Sequence, residues 1–302
     1  MTNAKHPTLG RTALRWLLLT LLLAPATFPL WRPHVLATHD GLHHLARLFE
    51  LDVALRNGAL YPRWFPHMGF LYGFPVFHYY APLTYYVGEA VRLLGGGVLL
   101  AYEATLGLGL VAAGWTMYAF ARRWGETIGW LAALLYVYWP YHLANGLVRG
   151  AQAELWAMVW FPLILAAAHQ VATARQRREA LRGGLLLALS YALLMLTHNI
   201  SALFFTPVLL AYGVWEWGRK REERERKELG EARELGDLKE LRELREPEER
   251  ARPNTHYSLL ITHSSFLLLF WLLGLALSAF FWLPALADVS WVRAAVLREG
   301  VR

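Results

Sequence analysis

The chain has 302 residues, 56% of them hydrophobic and 18% charged, with a formal net charge of +7, a mean hydropathy of +0.28 and no cysteine. A water-soluble domain of this size carries more charge and shorter apolar runs, so the composition predicts an all-α protein crossing a lipid bilayer several times. The missing thiols exclude disulfides and thiolate chemistry, and the basic excess falls in loops between apolar runs, which argues against nucleic acid as a partner.

Lys5, Arg11 and Arg15 precede an apolar run over about 14–30, read as a first membrane helix with a cytoplasmic N-terminus. The competing reading is a cleaved signal peptide with Ala24-Pro25-Ala26 as its site. Against it, the run is long for a signal core and the proline is badly placed for cleavage. Residues 32–97 then form a large outer loop. Between Asp40 and Arg56, the residues Leu42, Leu45, Phe49 and Val53 recur close to a 3.6 period, predicting an amphipathic helix along the interface. Asn57-Gly58 stops it. The stretch from Tyr61 to Pro66 and that from Gly73 to Pro82 hold too much proline for continuous helix and predict a structured aromatic loop at headgroup depth. A shorter helix is predicted over Tyr85–Leu94, ended by Gly95-Gly96-Gly97.

Further spans are predicted at about 98–120, 126–143, 153–172, 181–197, 200–217 and 258–283, which with the first makes about seven. Arg122-Arg123, then Arg175, Arg177 and Arg178, then Arg219-Lys220-Arg221 fall in alternate connections. Asn145, His198-Asn199 and the segment after Trp282 fall in the others. This alternation obeys the positive-inside rule for a multi-pass inner (cytoplasmic) membrane protein with its C-terminus outside. The domain reading is a transmembrane core over 1–217, a charged cytoplasmic loop over 218–257, and a seventh span with an outer segment over 258–302. Acids and bases balance in the charged loop, and Leu229, Leu235, Leu238, Leu241 and Leu244 are too sparse for a heptad. A helix held by i,i+4 pairs and a partly disordered loop both remain open. The end of the chain soon after the Phe281-Trp282-Leu283-Pro284 segment reads as truncation of a longer protein.

Three polar groups map to the outer ends of spans, where ionisable side chains are expensive and usually partnered or functional. The first is His39, Asp40, His43, His44 and Arg47. The second is Arg149, Gln152 and Glu154. The third is His198-Asn199. Asp40 has the chemistry of a general base, or of a ligand for a divalent cation, but it also stands where a helix cap would. His39 with His43, and Asp40 with His44, are i,i+4 pairs whose spacing permits metal binding by histidine and carboxylate, although no dedicated zinc pattern is present and solvated interfacial histidines are the simpler reading. Arg47 and Arg63 suit bidentate phosphate contacts or lipid headgroups. Glu154 and Arg149 are spaced for a mutual ion pair closing a helix start, or for substrate binding. His198 and Asn199 sit where they would cap the sixth span or donate to an anion. Glu89 and Glu103 are weaker candidates, and His142 and His169 are read as interfacial.

The pattern His39-Asp40-Gly41, His44, Arg47, then Gly58 to Trp64, then Gly73-Phe74-Pro75 and Tyr79 to Leu83 resembles the bacterial membrane proteins called "6-pyruvoyl-tetrahydropterin synthase-related". Arg149-Gly150, Glu154, His198-Asn199 and Phe281 to Pro284 are similar to later motifs of that group, so the resemblance covers nearly the whole chain outside 218–253. Nothing in the residues suggests a soluble pterin-synthase fold or its zinc site. The architecture looks like that of the GT-C membrane glycosyltransferases, which take a sugar from a polyprenyl-phosphate carrier outside the cytoplasm. The resemblance implies that Asp40 matches the acid those enzymes carry in the first outer loop as base or metal ligand. Arg47, Arg63 or Arg149 would then bind the lipid phosphate, and His39, His44, Glu154, His198 and Asn199 would shape the substrate site. The chain departs from that pattern in having Gly41, not a second acid, after Asp40, and in lacking the further spans expected after Arg302. The alternative expectations are a transporter or lipid-binding membrane protein without chemistry, or an inactive fragment.

Overall fold

Inside a bilayer no water meets the peptide groups, so each apolar run closes its own hydrogen bonds in a helix. The computed structural model describes residues 9–32, 37–174, 176–239 and 255–288. Helix α1 (Leu9–Leu23) passes directly into a tighter 3-10 stretch, Ala24–Trp31, which Pro25 opens and Pro29 interrupts. The segment 32–97, called the outer loop after its predicted side, holds α2 (Gly41–Arg56), the single turn α3 (Val76–Tyr79) and α4 (Leu83–Leu93). Then follow α5 (Val98–Ala121), α6 (Glu126–Tyr138), the turn α7 (Pro140–Leu143), α8 (Gln152–Thr173), α9 (Arg177–Thr197), α10 (Asn199–Lys239), α11 (Thr255–Leu277) and α12 (Ala279–Ala287).

Five helices among the described residues are long and apolar enough to cross a membrane: Gly10–Trp31, Val98–Trp124, Gln152–Thr173, Arg177–Thr197 and Asn199–Lys220. A sixth is added if Phe266–Leu277 and Ala279–Ala287, bent by 70° at Ser278, form one crossing. The run read as a single span over 126–143 breaks early. Its helix α6 is 13 residues long, which at about 1.5 Å per residue is ~20 Å against a hydrocarbon core of ~30 Å. Pro140 is the cause, because the residue before a proline is pushed out of the helical region, and Trp139 sits at φ −60°, ψ 133°. A π-helical turn, Ala144–Arg149, then carries the chain to α8. The charged segment after the sixth apolar run continues α10 as helix through Lys239, with Arg219 bridging Glu216 and Glu223. The remainder of the predicted loop, 240–254, lies outside the described residues.

The membrane core is centred on α8, which packs between α5 and α9, with α11 against α9. Small residues allow this closeness: a Cβ on Gly184 would strike the Phe270 ring of α11. The outer loop has its own core of Leu48, Leu51, Phe65, Phe77 and Tyr85. An isolated antiparallel bridge closes it, Phe65 N–H to Phe74 O at 2.9 Å and Phe74 N–H to Phe65 O at 3.0 Å. Helix α2 turns its polar residues inward. His44, Glu50 and Asp52 are buried, whereas Leu42 is 78% and Phe49 49% exposed. Two of the four apolar positions that predicted the helix thus face outward, as suits a helix lying at a lipid interface with its polar side toward the protein.

Candidate functional site

The site is built where the outer loop meets the turn before α8. His39 N–H donates to Val148 O at 3.3 Å and Asp40 N–H to Arg149 O at 2.9 Å, so the start of α2 is held against the last residues of the π-helical turn. Their glycines make the approach. A Cβ on Gly41 would strike Thr38 Oγ1, and one on Gly150, whose φ is +68°, would strike both Thr38 Oγ1 and the Tyr102 hydroxyl. Tyr102 of α5 locks the junction, its hydroxyl donating to Gly150 O at 3.1 Å and lying 3.2 Å from Thr38 Oγ1.

Asp40 occupies the position before α2 but makes no side-chain cap. The capping role considered for its carboxylate is therefore not the one it has. It is partly buried, and its charge bears on Tyr80, Tyr102 and Arg149. Arg149 Nη1 donates to Glu154 Oε2 and to Asn145 Oδ1, each at 2.8 Å. The hydrogen bond with Glu154, helped by the nearby charges of Glu154 and Asp40, holds the guanidinium pKa above its ordinary value. Tyr141 donates its hydroxyl to the other oxygen of Glu154. His198 feels both Glu154 and Arg149, while burial lowers its pKa. Its Nδ1 lies 2.6 Å from Ser201 Oγ. The structure thus brings Asp40, Arg149, Glu154 and His198 into one electrostatic neighbourhood. Asn199 acts locally, its Oδ1 accepting the Ile200 N–H at 3.1 Å.

The second half of the first motif is a separate buried knot. His44 Nδ1 lies 2.8 Å from the Tyr85 hydroxyl, which also accepts from Arg47 Nη1 at 3.0 Å, and the Arg47 guanidinium stacks 4.3 Å over the Tyr80 ring. Burial first, then the charges of Arg47 and His43, drive the His44 pKa down to about 3. It is therefore a neutral imidazole and not a proton donor at neutral pH. His39 and His43 are exposed. Arg63 is engaged elsewhere: its Nη2 donates to Phe280 O at 2.9 Å and its guanidinium lies 5.3 Å from the Tyr61 ring centroid. With the His78–Asp288 pair at 2.9 Å, it ties the aromatic loop to α12.

Two further clusters were weakly marked in the sequence. Asp52 is bridged by Arg92 at 2.6 Å and Arg56 at 2.8 Å. Burial acts to raise its pKa, but those two hydrogen bonds hold it below the usual carboxylate range. Burial and the neighbouring Asp52 push Glu89 the other way, to about 7. In the membrane core, Glu216 of α10 is 1% exposed and joins His169 Nδ1, Tyr212 and Arg219, each at 2.8 Å. Glu216 had no signal beyond being an acid in an apolar run. His169, read as interfacial, meets Glu216 there at hydrogen-bond distance, and His142, read the same way, is buried. Tyr102, Tyr141 and Tyr85 were also missed, because nothing in a list of aromatic residues says which hydroxyl meets a charge.

A resident divalent cation does not fit this donor set. Among the described residues no three His, Asp or Glu side chains are grouped to hold one, and the charged neighbour of Asp40 is a cation, Arg149.

Helices of spanning length, with polar clusters where they meet the outer loop, define a polytopic all-α membrane protein. Residues 77–222 match the family model described as "6-pyruvoyl-tetrahydropterin synthase related domain; membrane protein", and over this segment the chain is similar to that family. Arg149, Glu154, His198 and Asn199 fall inside the matched segment and Asp40 precedes it. No curated protein and no solved structure matches the chain.

Proposed function

We propose that this chain is a GT-C-like membrane glycosyltransferase, or the part of one that binds substrate. It would take a sugar from a polyprenyl-phosphate carrier at the extracytoplasmic face of the inner membrane. The observation that carries the proposal is Asp40: its backbone is fixed against Arg149, while its carboxylate neither caps α2 nor joins an ion pair among the described residues. An acid held in place with its oxygens uncommitted is poised to take a proton from an acceptor hydroxyl. Arg149 stands beside it to stabilise the departing phosphate, with Glu154 and Tyr141 setting its orientation and His198 and Asn199 bordering the sugar. His39 is exposed at the mouth, while His44, Arg47 and Arg63 support the loop.

In the same proposal the N-terminus is cytoplasmic, the core is 1–217, the charged loop 218–257 is cytoplasmic, and the short α6 and the bent α11–α12 pair complete seven crossings, so that 258–302 comprises the seventh span and an outer C-terminal segment. Because the chain has no cysteine, His39→Cys and Arg122→Cys can each be labelled alone with a membrane-impermeant maleimide. Labelling of position 122 in sealed right-side-out vesicles and not of position 39 would reverse this topology.

The activity is tested by following a radiolabelled sugar from its polyprenyl-phosphate carrier in membranes carrying the native chain or Asp40→Asn. The amide keeps the shape and removes the base, so transfer should disappear while the variant remains folded. Undiminished transfer would end the base assignment. A lipid-binding protein without chemistry is the second reading, favoured by the commitment of Arg149 to Glu154, which leaves less free positive charge for a phosphate. Absence of transfer by the native chain together with retained binding of the carrier lipid would select it.

A further inference from the structure

A cavity of about 490 Å³ lies between α5, α6 and α8, lined by Met117, Leu135, Trp139, Met158 and Phe161 and by His142. Its volume falls within the ~300–1,000 Å³ of small-molecule sites. Leu135 is 64% and Trp139 63% exposed at its lip, beside α5 and α8, which are long and apolar enough to cross a membrane, so the rim of the opening is apolar. The lining is almost wholly apolar, and the polar groups of its two tyrosines are already committed. Tyr136 donates its hydroxyl to Met158 O at 2.9 Å, and Tyr141 donates to Glu154.

His142 is the exception. It is 2% exposed, its Nδ1 lies 2.9 Å from Tyr136 O, and its Nε2 is buried with no hydrogen-bond partner among the described residues. A carbonyl oxygen only accepts, so the ring proton sits on Nδ1 and Nε2 presents a lone pair. An unmade hydrogen bond at a buried acceptor carries a desolvation cost, and an apolar lining offers nothing to relieve it. We infer that this cavity is a binding site for a hydroxyl-bearing membrane lipid, with its apolar body between the methionines and aromatic rings and its O–H donating to His142 Nε2. An ester or ether without a donor leaves the nitrogen unsatisfied, and an anionic headgroup would face an acceptor. The inference stands apart from sugar transfer, because it uses neither Asp40 nor Arg149.

The test uses the full chain in phosphatidylcholine nanodiscs and two photoactivatable probes, a diazirine-bearing dodecanol and its methyl ether. Labelled peptides are mapped by mass spectrometry, and binding is measured by competition with unlabelled dodecanol. The alcohol should label the segment 132–161 and bind roughly fivefold more tightly than the ether, the effect of one neutral hydrogen bond. His142→Leu should abolish that difference while both probes still bind. Ala132→Phe, which leaves His142 in place and fills the cavity, should block both. Equal binding of alcohol and ether to the native chain, labelling outside the segment, or a preference that survives His142→Leu would each overturn the inference. Should His142→Leu fail to fold, the native alcohol-to-ether ratio and the Ala132→Phe block decide it alone.

Discussion

Replacing Gly150 by alanine tests how the two halves of the candidate site are joined. Gly150 has φ +68°, and a Cβ there strikes the Tyr102 hydroxyl and Thr38 Oγ1; Gly58 has φ +87° and open space around it. Alanine in the left-handed region costs about 1–2 kcal/mol wherever it occurs, so Gly58→Ala measures that cost alone. Gly150→Ala adds the Tyr102–Gly150 hydrogen bond, ~1 kcal/mol, and repacking around the new methyl, ~1–3 kcal/mol. The sum is about 3–6 kcal/mol against about 1–2. At roughly 2 °C per kcal/mol for a chain of this size, the expected losses in Tm are ~6–12 °C for Gly150→Ala and ~2–4 °C for Gly58→Ala. Intrinsic tryptophan fluorescence in one detergent reads both. The cysteine-free background adds a local probe. His39→Cys with Val148→Cys, whose backbones are hydrogen-bonded at 3.3 Å, should cross-link readily in the parent and poorly beside Gly150→Ala. Equal melting losses with unchanged cross-linking would refute the junction.

Three other outcomes follow from the electrostatics. Arg149→Ala and Glu154→Ala should each destabilise, and the double variant should cost less than their sum by about 1 kcal/mol, a coupling that shrinks in high salt because both groups are partly exposed; strict additivity would mean that the pair is not formed. For His44 the folded pKa of about 3 lies below its usual 6.5, so the fold binds fewer protons than the unfolded chain. Its contribution is complete above pH 6.5 and is lost as pH falls toward 3, with a ceiling of ~5 kcal/mol at 1.36 kcal/mol per tenfold in proton affinity. A His44→Phe variant should melt with less acid sensitivity than the parent over that window, and an identical pH profile would rule the imidazole out. For Glu89 the sign reverses: its folded value of about 7 lies above 4.5, so stability is fully present below pH 4.5 and is lost as pH rises toward 7. Glu89→Gln should therefore gain on the parent between pH 5 and 8 and match it near pH 4, and a gap that does not move with pH would contradict this assignment.

The helices were legible because lipid imposes one solution on an apolar run, and Gly58 and Gly95 ended α2 and α4 where their positive φ allows. The break at Trp139 was missed because hydropathy averages over a proline that geometry cannot ignore. The proximity of Arg149 and Glu154 was legible from spacing, since five residues across a turn and a helix start bring the side chains together. That Asp40 lies against Arg149 was not, because the contact joins residues over a hundred positions apart through backbone atoms that every residue possesses. Only the paired glycines, Gly41 and Gly150, hinted at it. Helix α2 shows a subtler limit. Its period was right, but periodicity cannot say which face is inside when the outside is itself apolar.

The same limit explains why tyrosines do so much of the joining. At membrane depth a charged side chain needs a partner, and a second charge adds its own desolvation. A phenol avoids this, because its hydroxyl both accepts and donates while its ring packs as apolar surface. Tyr85 accepts from Arg47 and meets His44, Tyr102 reaches Gly150 and Thr38, Tyr141 reaches Glu154, and Tyr212 reaches Glu216. Each of these four clusters therefore holds its polar groups with at least one neutral bridge, whereas Asp52 is bridged by Arg92 and Arg56. Asp40 has no such bridge: among the described residues no hydroxyl donates to its carboxylate, although Tyr80 and Tyr102 are close enough to feel its charge. Glu154 and Glu216 each accept from a phenol and Asp52 from two arginines, so a carboxylate with neither kind of donor stands apart from these structural acids, and Asp40 is the group to mutate first.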